Sequence, residues 1–316
     1  MEDLMKKVCC FYVDDVIFTM RAIAEKRPKS LFDDPYMGML KKGHDETGVT
    51  VQLNLFYRTD FFYGSKEFTL SDMPDCYKSE FEANSDWLKL AFHAKQEFPD
   101  YPYVNADYED VKMDCEAVHN EIIRFAGEKS LSRVVCPHWL PISKDGCRAL
   151  ADCGIKFTSV SQGERTEFNG DHASLPYGHS FRLLQNRKPE TMLFTRGGKN
   201  TALRASICGY NHVDSELYKK IHRNGKCVFD KETGIGFCAM GGTMCLNLET
   251  VESIKETVAK LNGEEYLGIF NHEEYFYSDY YAYQPDYPEK FYLAARLVKE
   301  AGYEFKVAED IMYLAY

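Results

Sequence analysis

The sequence predicts an α/β fold, a (β/α) barrel of irregular or seven-stranded form that carries a mostly antiparallel β insertion. Three observations predict it. Short apolar strands alternate with helical stretches along most of the 316 residues, the rhythm of a parallel sheet covered by helices. That rhythm breaks between about residues 163 and 245, where Gly, Asn and His punctuate short stretches. Several strands end in Asp or His, as in parallel barrels, whose reactive groups project from the C-terminal strand ends.

Lys7 to Val13 is a run of β-branched, Cys and aromatic residues that stops at Asp14-Asp15, and it reads as a buried strand. From Gly48 to Tyr57, Val49, Val51, Leu53 and Leu55 alternate with Thr50, Gln52 and Asn54, a strand with one face more polar than the other. Leu88 to Phe92 is a third strand, delivering His93. Val111, Cys115, Val118, Ile122 and Phe125 then recur at steps of four and three, one face of a helix, and Gly127 is placed to end it. Leu131 to Cys136 leads into Pro137-His138-Trp139, a helix from about Ser143 to Gly154 follows, and Ile155 to Val160 is the next strand.

Within 163–245, the stretches Thr191 to Thr195, Ala205 to Cys208 and Lys226 to Phe229 read as short strands, and Asp230-Lys231-Glu232-Thr233-Gly234 reads as a hairpin turn. Helical spacing resumes with Val251, Ile254, Val258 and Leu261, and Tyr266 to Phe270 is a strand that delivers His272. Phe291, Ala294, Ala295, Val298 and Ala301 share a last helical face, followed by Tyr303 to Val307. The chain is expected to form a single domain over 1–316, with the insertion as part of it.

With 45% hydrophobic and 28% charged residues, the chain is composed like an ordinary globular protein and long enough to bury a core without metal or disulfides. A formal charge of -11 without a Lys/Arg-rich stripe argues against a nucleic-acid partner. The first apolar segment ends in two carboxylates, unlike a signal-peptide core, and no apolar run reaches the roughly 18 residues of a membrane span. A cytoplasmic location is expected. The eleven cysteines are odd in number and form no Cys-x-x-Cys pair, so they read as small buried hydrophobes in a reducing compartment.

The candidate chemical groups are Asp14 and Asp15 after the first strand, His93 with Glu97 after the third, His138-Trp139 after the fourth and His272 after the late strand. Phe11-Tyr12-Val13-Asp14-Asp15-Val16, then Leu90-Ala91-Phe92-His93 with Glu97, then Cys136-Pro137-His138-Trp139, and finally Tyr266 to His272 occur in this order. Over about 5–160 and 250–316 the chain thereby resembles the polysaccharide deacetylases of the carbohydrate esterase type. Glu97 stands where that family has the second histidine of His-x-x-x-His, and no arginine occupies the third motif.

The resemblance implies a metal-dependent hydrolase that removes an acyl group from a carbohydrate or related small amide. Asp15 and His93 would be metal ligands, and Glu97, four residues on, would join them if the chain turns helically there. Such a carboxylate-rich set opens the site to Mn²⁺, Fe²⁺ or Mg²⁺ beside Zn²⁺, and a degenerate site would hold no metal at all. Asp14 would act as general base and His272 as general acid. His138 would supply a further ligand or hydrogen-bond donor, and Trp139 and Tyr275 would line the substrate, the latter within an aromatic loop able to stack on sugar. The competing expectation is a catalytically silent barrel that binds a saccharide or a protein partner.

Overall fold

The structure, a computed structural model, describes residues 7–59, 67–98, 102–103, 106–140, 142–160, 195–196, 199–200, 227–239, 242–280 and 282–315. The first strand, β1 (Val8–Val16), is buried along its whole length and is followed by helix α1 (Phe18–Lys26). Helix α2 (Pro35–Thr47) begins where the Asp34 carboxylate accepts from the amides of Tyr36 and Met37 and ends at Gly48, whose φ of 82° is open to glycine. Strands β2 (Val51–Phe56) and β3 (Leu88–Ala94) are separated by a short helix, α3 (Lys78–Ala83).

Helix α4 (Tyr108–Phe125) buries Val111, Cys115, Val118, Ile122 and Phe125, the face that its spacing predicts. The two-residue strand β4 (Val134–Val135), helix α5 (Lys144–Asp152) and strand β5 (Phe157–Val160) follow. Two short strands, β6 (Thr195–Arg196) and β7 (Lys199–Asn200), pair with each other. Then come β8 (Val228–Asp230), β9 (Ile235–Ala239), β10 (Gly242–Cys245), helix α6 (Val251–Leu261), β11 (Tyr266–His272), helix α7 (Tyr287–Glu300), β12 (Glu304–Phe305) and helix α8 (Ala308–Ala315).

The larger sheet runs β10-β11-β1-β2-β3 with every pairing parallel, and β12 adds to the start of β1. The second sheet runs β4-β5-β9-β8, parallel except for the β8-β9 hairpin. One edge of each sheet meets the other where Leu90 of β3 bridges Leu131 just before β4. Along the chain only residues 240 and 241 separate β9, inside the second sheet, from β10 at the far edge of the larger one. Leu53, Leu55, Ile122, Phe125 and Phe291 belong to one continuous apolar core. No helix of the described residues is long and apolar enough to cross a membrane.

The expected antiparallel insertion needs correction at its C-terminal end. Strands β9 and β10 lie inside 163–245, yet β9 pairs parallel with β5 and β10 parallel with β11. Ile235, Phe237 and Cys238 are all buried, and strands buried on both faces belong to parallel sheets. Among the described residues of 163–245, antiparallel pairing is found in β6-β7 and in the β8-β9 hairpin, whose turn is the predicted Asp230 to Gly234. The stretches at 191–194 and 205–208 lie outside the described residues.

Candidate functional site

Neighbouring residues of a regular strand face opposite sides of its sheet, so Asp14 and Asp15 would be expected to diverge. Asp15 instead adopts φ 61°, and the β1-β2 register shifts between Val13 and Val16. This bulge turns Asp15 back, and a carboxylate oxygen of each aspartate lies within 4.8 Å of a His93 ring nitrogen. Bulges commonly re-aim a side chain at the rim of a sheet, and Asp is among the few side chains that tolerate a left-handed backbone.

His93, near the end of β3, and His138, beyond β4, meet this carboxylate. Asp15 Oδ1 lies 3.0 Å from His93 Nε2 and 3.1 Å from His138 Nδ1, and the two ring nitrogens are 3.1 Å apart. The His138 amide also donates to the His93 carbonyl at 3.1 Å, which pins the segment after β4 to the end of β3. All three side chains are buried. Each histidine turns its outer nitrogen to a backbone carbonyl, His93 Nδ1 to Cys136 O and His138 Nε2 to Glu97 O. A carbonyl only accepts, so those outer nitrogens carry the protons and the inner ones present lone pairs.

Two imidazole nitrogens and a carboxylate oxygen thus converge, a donor set that could hold a cation. Burial lowers the His93 pKa, but Asp14, the Asp15 hydrogen bond and the Cys136 carbonyl together raise it above its ordinary value. The spacing also fits a metal: two bonds of about 2.1 Å at right angles span about 3.0 Å. One carboxylate and two imidazoles suit Zn²⁺ or Fe²⁺.

Beside this triad, Asp15, Glu97 and Glu274 form a second cluster of buried carboxylates within 4.8 Å of one another. Residues 95–97 form a bend after β3 rather than a helical turn, and this carries the Glu97 side chain toward Glu274 while its carbonyl serves His138. The adjoining pocket is lined by Asp15, Phe56, Arg58, Thr59, Glu97 and Glu274, among others.

Asp14 is held by a line of buried amides. Asn54 Nδ2 donates to Asp14 Oδ1 at 2.6 Å, Gln52 Nε2 donates to Asn54 Oδ1 at 2.8 Å, and Ser132 Oγ donates to Gln52 Oε1 at 2.8 Å. Gln52 and Asn54 occupy the polar face of β2, which is buried throughout. His272 ends β11 directly across from Asp14 in the parallel register. Its Nδ1 lies 2.8 Å from Asn247 Oδ1, an acceptor that fixes the proton on Nδ1.

The next residue, Glu273, ties this corner together. Its carboxylate accepts from the amides of Ile17, Phe18 and Thr19 at 2.7–2.8 Å, capping α1 from outside that helix. Burial pushes its pKa up to about 7, against the pull of Thr19 and those amides. The sequence assigned no role to Asn54, Gln52, Glu273 or Glu274, although the polar alternation of β2 was the available signal for the first two. Trp139 follows His138 with φ 63°. Tyr275 is buried against Tyr280, its ring centroid 6.3 Å from that of His272.

No family model matches the chain, nor does any of the curated proteins compared with it. Solved structures do match. The 4-alpha-glucanotransferase of Thermococcus litoralis is 10% identical with a TM-score of 0.51, covering 98% of this chain and 40% of that one. The Xyl-CE4 domain of a multidomain xylanase from the hindgut metagenome of Trinervitermes trinervoides is 11% identical with a TM-score of 0.42, covering 98% of this chain and 91% of that one. A CE4 family pseudoenzyme from Bacillus anthracis is 8% identical with a TM-score of 0.37, covering 97% and 66%. At these identities the first likeness speaks to fold alone.

Proposed function

We propose that this chain is a metal-dependent hydrolase that removes an acyl group from a carbohydrate or a related amide. The observation that carries the reading is the convergence of Asp15 Oδ1, His93 Nε2 and His138 Nδ1 at 3.0–3.1 Å from one another, beside Asp14 and His272. Those three atoms would hold the ion, with His138 in the place that the sequence offered to Glu97. A bound divalent metal supplies Lewis acidity toward the acyl carbonyl and lowers the pKa of water.

The remaining work falls to side chains. Asp14 takes the proton of the attacking water as general base, oriented by Asn54 rather than by an arginine. His272 hands a proton from Nε2 to the departing amine or alcohol, while Asn247 holds its Nδ1. His93 and His138 keep their lone pairs inward because Cys136 O and Glu97 O take their outer protons. The likeness to a 4-alpha-glucanotransferase and to CE4 structures agrees in fold with this assignment.

The same reading closes the two sheets into one seven-stranded barrel. Leu131 bridges to β3, and the chain passes from β9 on one sheet to β10 on the other, so β9 and β10 count as one bent stave. Residues 1–316 then form one domain whose insertion is the part before β8.

A silent barrel that binds a saccharide or protein partner is the second reading, favoured by the near-complete burial of Asp15, His93 and His138 at 2–3% exposure. Elemental analysis of the purified chain, followed by assays with N- and O-acetylated sugars in Zn²⁺, Mn²⁺, Fe²⁺ and Mg²⁺, separates the two. Metal with turnover supports the hydrolase. Metal without turnover of any acylated sugar or amide favours the silent barrel, and no metal binding under any loading condition overturns the triad as a metal centre.

A further inference from the structure

We propose that Cys227 and Cys238 are a built thiol pair that closes reversibly to a disulfide across the β8-β9 hairpin. The hairpin register opposes Val228 to Phe237, Phe229 to Gly236 and Asp230 to Ile235. One step further out it opposes Cys227 to Cys238. Their Sγ atoms lie 2.9 Å apart, closer than two unbonded sulfurs rest. Directly opposed positions of an antiparallel pair bring side chains near enough for a disulfide without moving either strand.

The surroundings suit the exchange. Cys227 is half-buried, so an oxidant can reach it, whereas Cys238 is buried beneath the hairpin. The Met312 thioether of α8 packs on Cys227 at 3.5 Å and walls one side of the pair. Cys227, the more exposed of the two, is therefore the attacking group, and Cys238 follows from its buried position. With glutathione disulfide as oxidant, the Cys227 thiolate attacks one glutathione sulfur and expels a glutathione thiolate. The Cys238 thiolate then attacks the Cys227 sulfur and expels the second. Two electrons leave the protein, the protons of both cysteines pass to the two glutathiones, and one S–S bond is formed for the one broken.

The pair sits at a junction. Strand β9 is seated on β5 through its parallel register and leads within three residues into β10 beside β11, the strand that bears His272. Closing the disulfide fastens the edge of the second sheet where the chain returns to it, and removes freedom from the unfolded chain.

The full chain is equilibrated in glutathione buffers of graded oxidised-to-reduced ratio, trapped with iodoacetamide, digested and weighed. Exposed Cys76 is the internal reference. The expected result is a peptide pair joined through Cys227 and Cys238, lighter than the reduced peptides by two hydrogens. It forms at ratios below those that glutathionylate Cys76 and is reversed by excess reduced glutathione. Oxidation should also raise the thermal midpoint of the wild type but not of Cys227→Ser. The proposal is overturned if both thiols remain alkylated at ratios that glutathionylate Cys76. It is equally overturned if Cys227 carries glutathione and never passes to Cys238. The crosslink is read on the wild-type chain, so a misfolded variant cannot obscure the result.

Discussion

Asp14 on β1 and His272 on β11 stand directly across from each other in the parallel register, so one strand pairing fixes the separation of the proposed base and acid. Asp14→Asn is expected to abolish turnover of an acylated substrate while metal content stays near the wild-type value, because the amide keeps the shape and loses the proton acceptor. His272→Ala should slow amide hydrolysis by about 100-fold or more and activated-ester hydrolysis far less, since a good leaving group needs little acid assistance. Equal losses on both substrates would remove His272 from the acid role.

The metal prediction distinguishes His138 from Glu97. Asp15→Asn, His93→Ala and His138→Ala should each lower the metal-to-protein ratio measured by elemental analysis after dialysis. Glu97→Gln should retain more metal than His138→Ala, because the Glu97 carboxylate belongs to the cluster with Glu274 rather than to the pair of imidazoles. The reverse order would restore Glu97 as the third ligand.

Asn54→Leu tests the amide line behind Asp14. Removing the donor leaves a buried carboxylate with one fewer hydrogen bond and takes from Gln52 Nε2 one of its acceptors, Val134 O remaining, at a cost of about 1–3 kcal/mol in folding stability. The expected kinetic signature is a fall in kcat with KM and metal content little changed, and Asn54→Ser should recover part of the loss. A variant with wild-type kcat would show that Asp14 needs no such support.

His119 gives a pH prediction distant from the chemistry. Burial lowers its pKa from 6.5 to about 4, with Arg133 adding to the effect. Above about pH 6.5 both folded and unfolded chains hold it neutral and stability is complete. As pH falls toward 4, the unfolded chain takes a proton that the folded one refuses, and about 3 kcal/mol is lost at the limit. The drop in unfolding midpoint between pH 7.5 and pH 4.5 should therefore be smaller for His119→Gln than for the wild type. An unchanged drop would mean that His119 accepts its proton within the fold.

The strands bearing Asp14, His93 and His272 were legible because each is an apolar run stopped by a polar residue, a pattern that burial of a parallel sheet imposes directly. The group that meets His93 was not legible. That His138 and not the Glu97 side chain lies against His93 follows from the bend after β3 and from the amide of His138 reaching the His93 carbonyl, a contact across 45 positions that spacing does not encode. The polar face of β2 was visible as Gln52 and Asn54, but alternation alone reads as a solvated face. Only the second sheet, which brings Ser132 and Val134 against Gln52, makes it an interior one. β9 and β10 were taken into an insertion because short Gly-containing strands carry little period, and their parallel partners lie far off in sequence.

The left-handed backbone at Asp15 has a consequence for substitution. Asn occupies that conformation as readily as Asp, whereas β-branched residues do so at a real energetic cost. Asp15→Asn would therefore remove the carboxylate that both imidazoles meet while leaving the bulge and the strand register intact. On the proposed reading, a single substitution at this position would therefore trade metal binding for a neutral amide without disturbing the fold around it.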